Sequence, residues 1–167
     1  MATRTGTTST TGTLTGGGAT PIVGGHRGDG PGPEVMDAST LSGDSVVNSG
    51  GDDLGKIEAI MLDVTGGRIA YAVLSFGGFL GMGSKLFAIP WSALTLDASE
   101  KRFILDVPKE RLENAPGFDK DHWPSMADTT WATQVHSYYD VRPYWDDELG
   151  SSRSSDPRTT AGYDENR

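Results

Sequence analysis

The alternation of hydrophobic and polar side chains predicts short β-strands in the middle of the chain. Residues 56–64 begin with strict alternation, since Ile57 lies between a lysine and a glutamate, and then become apolar in both phases. A Thr-Gly-Gly turn follows, which favours a tight hairpin because glycine adopts positive φ readily. Residues 68–76 are apolar in both phases, and a strand without a polar face is either central in its sheet or covered on both sides.

Further short strands are predicted at close spacing on both sides of this hairpin. Residues 86–89 form an apolar run that a proline ends, and residues 94–96 and 103–105 flank a polar loop at 97–101. A shorter candidate strand precedes the hairpin at residues 45–48. About five or six short strands separated by glycine-rich turns are typical of a small barrel. We therefore predict a mainly β fold, a small antiparallel β-barrel.

Two helices are predicted after the strands and are expected to pack on the barrel. The first is short and begins at Pro108, which suits the first helical position because its missing N–H group is not needed there. The second is predicted for residues 128–139, where Ser125 and Asp128 have capping-box spacing. A barrel of roughly 70 residues without disulfides gains only about 3–5 kcal/mol from its own core. We therefore expect the apolar stripe of the second helix to cover the barrel: Trp131, Val135 and Tyr138.

The two ends of the chain have a different composition. Residues 1–33 are rich in threonine and glycine with few large apolar side chains, and residues 146–167 are acidic and serine-rich without an apolar period. Such segments cannot offset the entropy lost on ordering, so both are predicted to be disordered tails. Between them we assign residues 34–114 to the barrel domain and residues 115–145 to a C-terminal helical extension.

Composition and charge disfavour several classes of function. The 167 residues carry a formal net charge of −9, whereas nucleic-acid surfaces cluster Lys and Arg. The chain has no cysteine, which excludes disulfides, thiolate metal sites and cysteine nucleophiles. Residues 1–20 do not resemble a signal peptide, and no stretch approaches the ~18 apolar residues of a membrane-spanning helix. We expect a soluble, cytoplasmic protein that binds no nucleic acid and does not insert into a membrane.

Three motifs in the strand region resemble the PRC-barrel domain. They are the Leu54–Ile57 run, the strand Gly67–Leu74, and the Lys-x-x-Ala-x-Pro-Trp pattern of Lys85–Trp91. Residues 115–121 and the aromatic series after them are similar to the C-terminal extension of a bacterial subgroup of single-domain PRC-barrel proteins. The family occurs in the cytoplasmic part of the photosynthetic reaction-centre H subunit and in a ribosome maturation factor. The resemblance implies a docking barrel without common catalytic residues.

The most unusual segment is glycine-rich and apolar, and we call it loop 76–83. It comprises Phe76, Gly77, Gly78, Phe79, Leu80, Gly81, Met82 and Gly83. Gly78 and Gly83 have phosphate-loop spacing, but the signature fails because Ser84 separates the last glycine from Lys85 and a strand follows. The large side chains of this loop either plug the barrel mouth or stand exposed as a contact patch. We take it as the candidate partner-binding site.

Other candidate chemistry has a simpler structural explanation. His122 lies beside two aspartates, but EF-hand spacing fails there, and His122 and His136 lack the spacing of a metal site on one helix face. Asp63 and Arg68 are predicted to pair across the hairpin turn, a structural contact worth under about 1 kcal/mol. We expect core packing for the aromatic side chains of the C-terminal section: Trp123, Trp131, Tyr138, Tyr139, Tyr144 and Trp145.

Three functions remain open from the sequence. The first is a protein-docking barrel that binds a partner protein or forms a homodimer, with its contact at loop 76–83. The second is a barrel associated with a small ligand or pigment, as in the reaction-centre H subunit. The third is an enzyme, for which the sequence provides no residue set. We expect no catalysis, no cofactor and no metal.

Overall fold

The computed structural model of the chain describes residues 20–24, 35–77 and 85–146. The helices are α1 (Ala38–Leu41), α2 (Lys109–Glu113) and α3 (Thr129–Tyr138), and a 3-10 turn at Trp91–Ala93 joins the fifth strand to the sixth. The strands are β1 (Ile22–Val23), β2 (Ser45–Val47), β3 (Asp53–Asp63), β4 (Arg68–Phe76), β5 (Lys85–Pro90), β6 (Leu94–Asp97) and β7 (Arg102–Leu105).

The strands of the described residues form one seven-stranded sheet in the order β1-β6-β7-β2-β3-β4-β5. The pairs β6/β7, β2/β3, β3/β4 and β4/β5 are antiparallel, as predicted. The pairs β2/β7 and β1/β6 are parallel, which differs from the prediction of an antiparallel barrel. Side-chain alternation identifies strands but carries no information about their partners. One core cluster contains side chains from each of the six strands that follow β1 in the chain. The sheet therefore curves around a common interior.

The long hairpin of β3 and β4 contains an irregularity that was visible in the sequence. Ile57 pairs with Leu74 and Ala59 with Val73, which leaves Glu58 as an extra residue in β3. A bulge of this kind shifts the phase of the side chains that follow it. The shift explains why strict alternation ends after Glu58.

Strand β4 is central in the sheet and covered as well. It pairs with β3 on one side and β5 on the other, and all side chains of residues 70–74 are buried. Tyr71 contacts the rings of Trp131 and His136 on α3. The prediction that this strand has no solvent-facing side is confirmed.

Helix α3 lies where the apolar stripe predicted it, with a different cap. Asp128 is the N-cap residue, and its carboxylate accepts hydrogen bonds from two backbone N–H groups of the first turn. Ser125 is therefore not the cap, and the proposed capping box is wrong. Val135 is buried, and Trp131 and Tyr138 pack against the core cluster. The helix covers the barrel as expected.

The structure describes only short parts of the predicted tails. Residues 20–24 belong to the predicted disordered segment 1–33, yet Ile22 and Val23 form β1 against β6. Composition did not indicate this strand because backbone hydrogen bonds hold it. The remaining residues of that segment, and residues 147–167, lie outside the described ranges.

Candidate functional site

Loop 76–83 begins at the end of β4, and the structure describes its first two residues. Phe76 and Lys85 are the last paired residues of β4 and β5, so the connection leaves and re-enters the sheet at adjacent positions. Gly77 is exposed and has a φ of 86°. The other loop residues lie outside the described ranges, so the choice between plug and contact patch stays a prediction: Gly78, Phe79, Leu80, Gly81, Met82 and Gly83.

Phe76 anchors the base of the loop. Its half-buried ring packs against the core cluster and meets the fully buried ring of Phe87 edge-on, with the ring centroids 6.1 Å apart. The Nζ atom of Lys109, at the start of α2, lies 5.8 Å from the centroid of the Phe76 ring. Pro108 is the N-cap residue of α2, whereas the sequence predicted it as the first residue of the helix. Lys109 is therefore the first helical residue. Phe76 therefore links the core to the surface around the loop.

A second lysine, Lys85, lies at the start of β5 and also contacts an aromatic ring. The Nζ atom of Lys85 is 5.5 Å from the centroid of the Phe87 ring, so two ammonium groups lie over two rings that contact each other. A cation–π contact of this exposed kind contributes about 0.5–1 kcal/mol. Neither Lys85 nor Lys109 forms an ion pair with a carboxylate of the described residues. The chain thus presents local positive charge although its net charge is −9.

Two further aromatic residues extend this surface along the edge of β5. The backbone N–H of Leu86 donates to the carbonyl oxygen of Phe118 at 2.9 Å, and the N–H of Phe118 donates back at 2.8 Å. The Trp123 ring contacts the Phe118 ring at an interplanar angle of 56° with the centroids 5.1 Å apart, and its Nε1–H donates to the carbonyl oxygen of Lys120. Trp123 is 42% exposed, so the prediction that it packs in the core is wrong.

We call this surface the loop rim, defined as Phe76, Lys85, Lys109, Phe118 and Trp123. Its members come from the ends of β4 and β5, from α2 and from the segment that follows α2. Sequence reasoning identified loop 76–83 but missed the rim, because no local motif links these positions. The nearest signal in the sequence was the run at 115–121, which the family resemblance singled out.

The other concentration of chemically active side chains lies beneath α3. The Tyr71 ring lies edge-on to three rings, at centroid distances of 5.6 Å to Trp131, 5.4 Å to His136 and 5.9 Å to Tyr144. Trp145 closes the group at 5.1 Å from His136. Core packing, predicted for the C-terminal aromatic section, is confirmed for Trp131 and Tyr144.

Burial controls the titration of this aromatic group. His136 is 1% exposed, and burial lowers the pKa of its imidazole, while a hydrogen bond from Nδ1–H to the carbonyl oxygen of Ala132 at 2.7 Å partly opposes that effect. Burial likewise raises the pKa of Tyr71. Both groups are therefore neutral near pH 7, and His136 is a packing residue of α3. His122 is exposed.

The tip of the β3–β4 hairpin carries a small apolar groove. The predicted pair is present, with Arg68 Nε 3.0 Å from Asp63 Oδ2, and the N–H of Gly66 lowers the pKa of the Asp63 carboxyl. Leu62 is 61% exposed and Val64 is 87% exposed. They border an open groove of about 370 Å³ that is lined by Leu62, Asp63, Val64, Gly67, Arg68 and Ile69.

The described residues contain neither a cluster of metal ligands nor a membrane-spanning helix. In residues 20–24, 35–77 and 85–146, no three His, Asp or Glu side chains come together as ligands of a metal ion would. Within those same ranges, every helix is too short or too polar to span a bilayer.

Comparison with known proteins places the strand region in a defined class. Residues 33–112 match the family model of the PRC-barrel domain, and this part of the chain is a PRC-barrel domain. A solved structure similar to the chain is that of a 16S ribosomal RNA processing protein, RimM, from Pseudomonas aeruginosa, with 17% sequence identity and a TM-score of 0.35. The match covers 47% of this chain and 46% of the RimM chain, less than half of either. No curated protein matches the chain significantly.

Proposed function

We propose that this PRC-barrel domain is a non-enzymatic protein-docking module of the cytoplasm whose partner binds at the loop rim and loop 76–83. The observation that carries the proposal is the pair of lysine ammonium groups over the contacting rings of Phe76 and Phe87. Among the described residues, neither lysine has a carboxylate partner. A surface with one exposed and two half-buried aromatic rings beside unpaired cations suits a partner segment that carries apolar and acidic side chains.

The charge of the chain makes this recognition local. At a net charge of −9, an acidic partner is repelled by the protein as a whole and attracted only locally, at cations such as Lys85 and Lys109. At physiological ionic strength, charges farther apart than about 8 Å are largely screened, so the rim lysines act mainly on groups in contact with them. Added salt should therefore weaken the complex.

The apolar part of the contact has two sources. Trp123 presents an exposed ring that packs against the Phe118 ring. Tryptophan is a common anchor of protein interfaces. Loop 76–83 adds Phe79, Leu80 and Met82 by sequence. Together they supply an apolar centre beside charged groups, the arrangement found in specific interfaces.

The burial of the titratable side chains argues against catalysis. The groups with the most displaced pKa values, Tyr71 and Tyr139, are buried in the core cluster together with the neighbouring His136. A substrate cannot reach them without unfolding α3 from the barrel. For the small-ligand or pigment alternative, the candidate binding site is the open groove beside Leu62 and Val64. That groove lies at the tip of a hairpin.

The proposal is tested by capture from a lysate of the source organism with a tagged chain and three double variants. Lys85→Glu/Lys109→Glu reverses the rim charge, and Phe79→Asp/Leu80→Asp removes the apolar loop side chains. Leu62→Asp/Val64→Asp is the matched control, since it changes exposed apolar residues at the hairpin tip. We expect one protein to be captured by wild type and control and lost from the other two variants. With that protein purified, the rim charge reversal should weaken binding at least about tenfold.

Circular dichroism and urea unfolding must show that all variants are folded. A partner that binds the rim and loop variants as tightly as wild type would contradict the proposal, as would equal loss from the control. Sedimentation of the purified chain addresses self-association. A dimer that the rim variants dissociate would make a second copy the partner.

A further inference from the structure

A short segment from the N-terminal region lies along the edge of the sheet. Ile22 pairs with Leu96 and Val23 with Asp97, in parallel with β6. The backbone N–H of Leu96 donates to the carbonyl oxygen of Pro21 at 2.8 Å, and the N–H of Ala98 donates to that of Val23 at 2.9 Å. The segment thus satisfies backbone donors that β6 would otherwise leave open at a sheet edge, since β7 occupies its other side.

The contact depends on the backbone more than on side chains. Ile22 is 37% exposed and Val23 is 44% exposed, so neither side chain is enclosed by the barrel. The hydroxyl of Thr20 donates to the carbonyl oxygen of Trp91 at 2.5 Å, another contact with main chain. An added strand at such an edge gains its affinity mainly from main-chain hydrogen bonds.

Gly24 fixes where the segment leaves the edge. Its φ is 70°, and a Cβ atom there would lie 2.4 Å from Ser99 Oγ and 3.0 Å from Ser99 Cβ. Only glycine combines this backbone conformation with such a close approach to the β6–β7 turn. A side chain at position 24 would therefore disturb the end of the segment on β6.

The segment covers the edge only partly. Its strand is two residues long, whereas β6 has four residues from Leu94 to Asp97. Pairing that short, with exposed side chains, belongs to the parts of a protein that open most readily. A longer extended segment would pair with more of β6 and would replace β1 rather than add to it.

We propose that the edge of β6 is a strand-acceptor site, occupied in cis by Thr20–Gly24, which takes an extended apolar segment of a partner protein in parallel with β6. This surface contains no residue of the loop rim, since the segment contacts β6 and the β6–β7 turn, whereas the rim is formed by β4, β5, α2 and the segment after α2. The inference does not rest on the docking function proposed for the rim. The occupant in cis shows the direction and register that the partner segment adopts.

The test uses the full chain and a variant that loosens the segment. Gly24→Val adds a β-branched side chain at positive φ against Ser99. Gly67→Val is the matched control, because Gly67 has a similar φ of 66° but a Cβ added there would meet no atom within 4 Å. Hydrogen exchange by NMR reports the backbone N–H groups of Leu96 and Ala98. In Gly24→Val both should exchange at least about tenfold faster than in wild type, and Gly67→Val should leave them unchanged.

A peptide probe then tests whether the edge of β6 pairs with a strand from another molecule. A synthetic peptide of residues 18–26, in millimolar excess, should restore slow exchange at Leu96 and Ala98 of Gly24→Val, whereas a scrambled peptide of the same composition should not. Failure of the peptide to protect these amides would overturn the inference. Unchanged exchange in folded Gly24→Val would overturn it too, because the edge would then be permanently closed. A concentration-dependent dimer of wild type that Gly24→Val abolishes would assign the edge to a second copy and overturn the partner form.

Discussion

The loop rim and the aromatic group under α3 use the same residue types in opposite ways. Under α3 and at its ends, the cations over aromatic rings are arginines with carboxylate partners: Arg68 lies over Tyr144 and pairs with Asp63, and Arg111 lies over Tyr138 and pairs with Asp140. At the loop rim, the cations over rings are Lys85 and Lys109, and neither has such a partner among the described residues.

The difference separates a region whose cations tie parts of the chain together from a region whose cations form no ion pair among the described residues. Arginine forms several directed hydrogen bonds at once, so it can tie a helix to a carboxylate and a backbone carbonyl together. Arg111 does this by donating to Asp140 and to the carbonyl oxygen of Tyr138. A lysine over a ring keeps its charge accessible to solvent and to a partner. Three predictions test this comparison, from the largest expected effect to the smallest.

The first prediction compares one aromatic residue from each region. Tyr71→Ala should lower the free energy of unfolding by about 3–5 kcal/mol, because it removes a fully buried ring that contacts three others. Trp123→Ala at the loop rim should lower it by under about 1 kcal/mol, since that residue is 42% exposed and lies at the surface. Urea denaturation measures both values. Similar losses in the two variants would remove the distinction between the regions.

A conservative change at Tyr71 separates the ring from its hydroxyl. The Tyr71 hydroxyl is buried and has no hydrogen-bond partner among the described residues. Burying an unpaired hydroxyl costs about 1–3 kcal/mol, so Tyr71→Phe should leave the stability unchanged or raise it. A clear loss of stability in Tyr71→Phe would reveal a partner for this hydroxyl.

The second prediction concerns the pH dependence of stability, which we attribute to the aromatic group under α3 and not to the loop rim. The folded-state pKa of His136 is lowered by burial from its ordinary value of 6.5, so the unfolded state takes up the proton first as the pH falls. The stability should therefore decrease below pH 6.5, by at most about 1.4 kcal/mol per pH unit for this single group. Urea midpoints between pH 7 and about 5.5 should show a shallower decrease in His136→Leu than in wild type. Equal slopes in the two proteins would exclude His136 as the cause.

The third prediction compares the two kinds of cation directly. Arg111→Met should lower the urea midpoint measurably, because it removes donors to Asp140 and to the backbone of Tyr138. Lys109→Met should lower the midpoint less, because its charge has no carboxylate partner among the described residues and its cation–π contact contributes only about 0.5–1 kcal/mol. If Lys109→Met were the more destabilising change, the rim lysine would be structural rather than available for binding.

Most of the strand set could be predicted because its signals are local. The hairpin turn at 65–67 and the unbroken burial of residues 70–74 both follow from neighbouring side chains. The pair between Asp63 and Arg68 also joins residues close in sequence. The cap of α3 was misplaced because Ser125 and Asp128 are both good capping residues, and only the backbone path selects between them.

The candidate site was predicted only in part, for a physical reason. Loop 76–83 is continuous in sequence, so its glycines and apolar side chains indicate it directly. The exposure of Trp123 could not be predicted, because an aromatic residue in a helical extension has the same local pattern whether it faces the core or solvent. The lysines of the rim likewise gain their meaning from Phe76 and Phe87, which lie on different strands.

By itself, the sequence determined a mainly β domain with a hairpin at its centre, an apolar helix to cover it, and an acidic chain with one glycine-rich apolar loop. The tertiary structure alone decided the parallel pairs β2/β7 and β1/β6, the loop rim, and the segment on the edge of β6. These features join residues far apart in sequence, such as Thr20 with Trp91 and Arg68 with Tyr144. Periodicity states which side of a strand is buried, but the partner is chosen by the packing of the whole chain around one core.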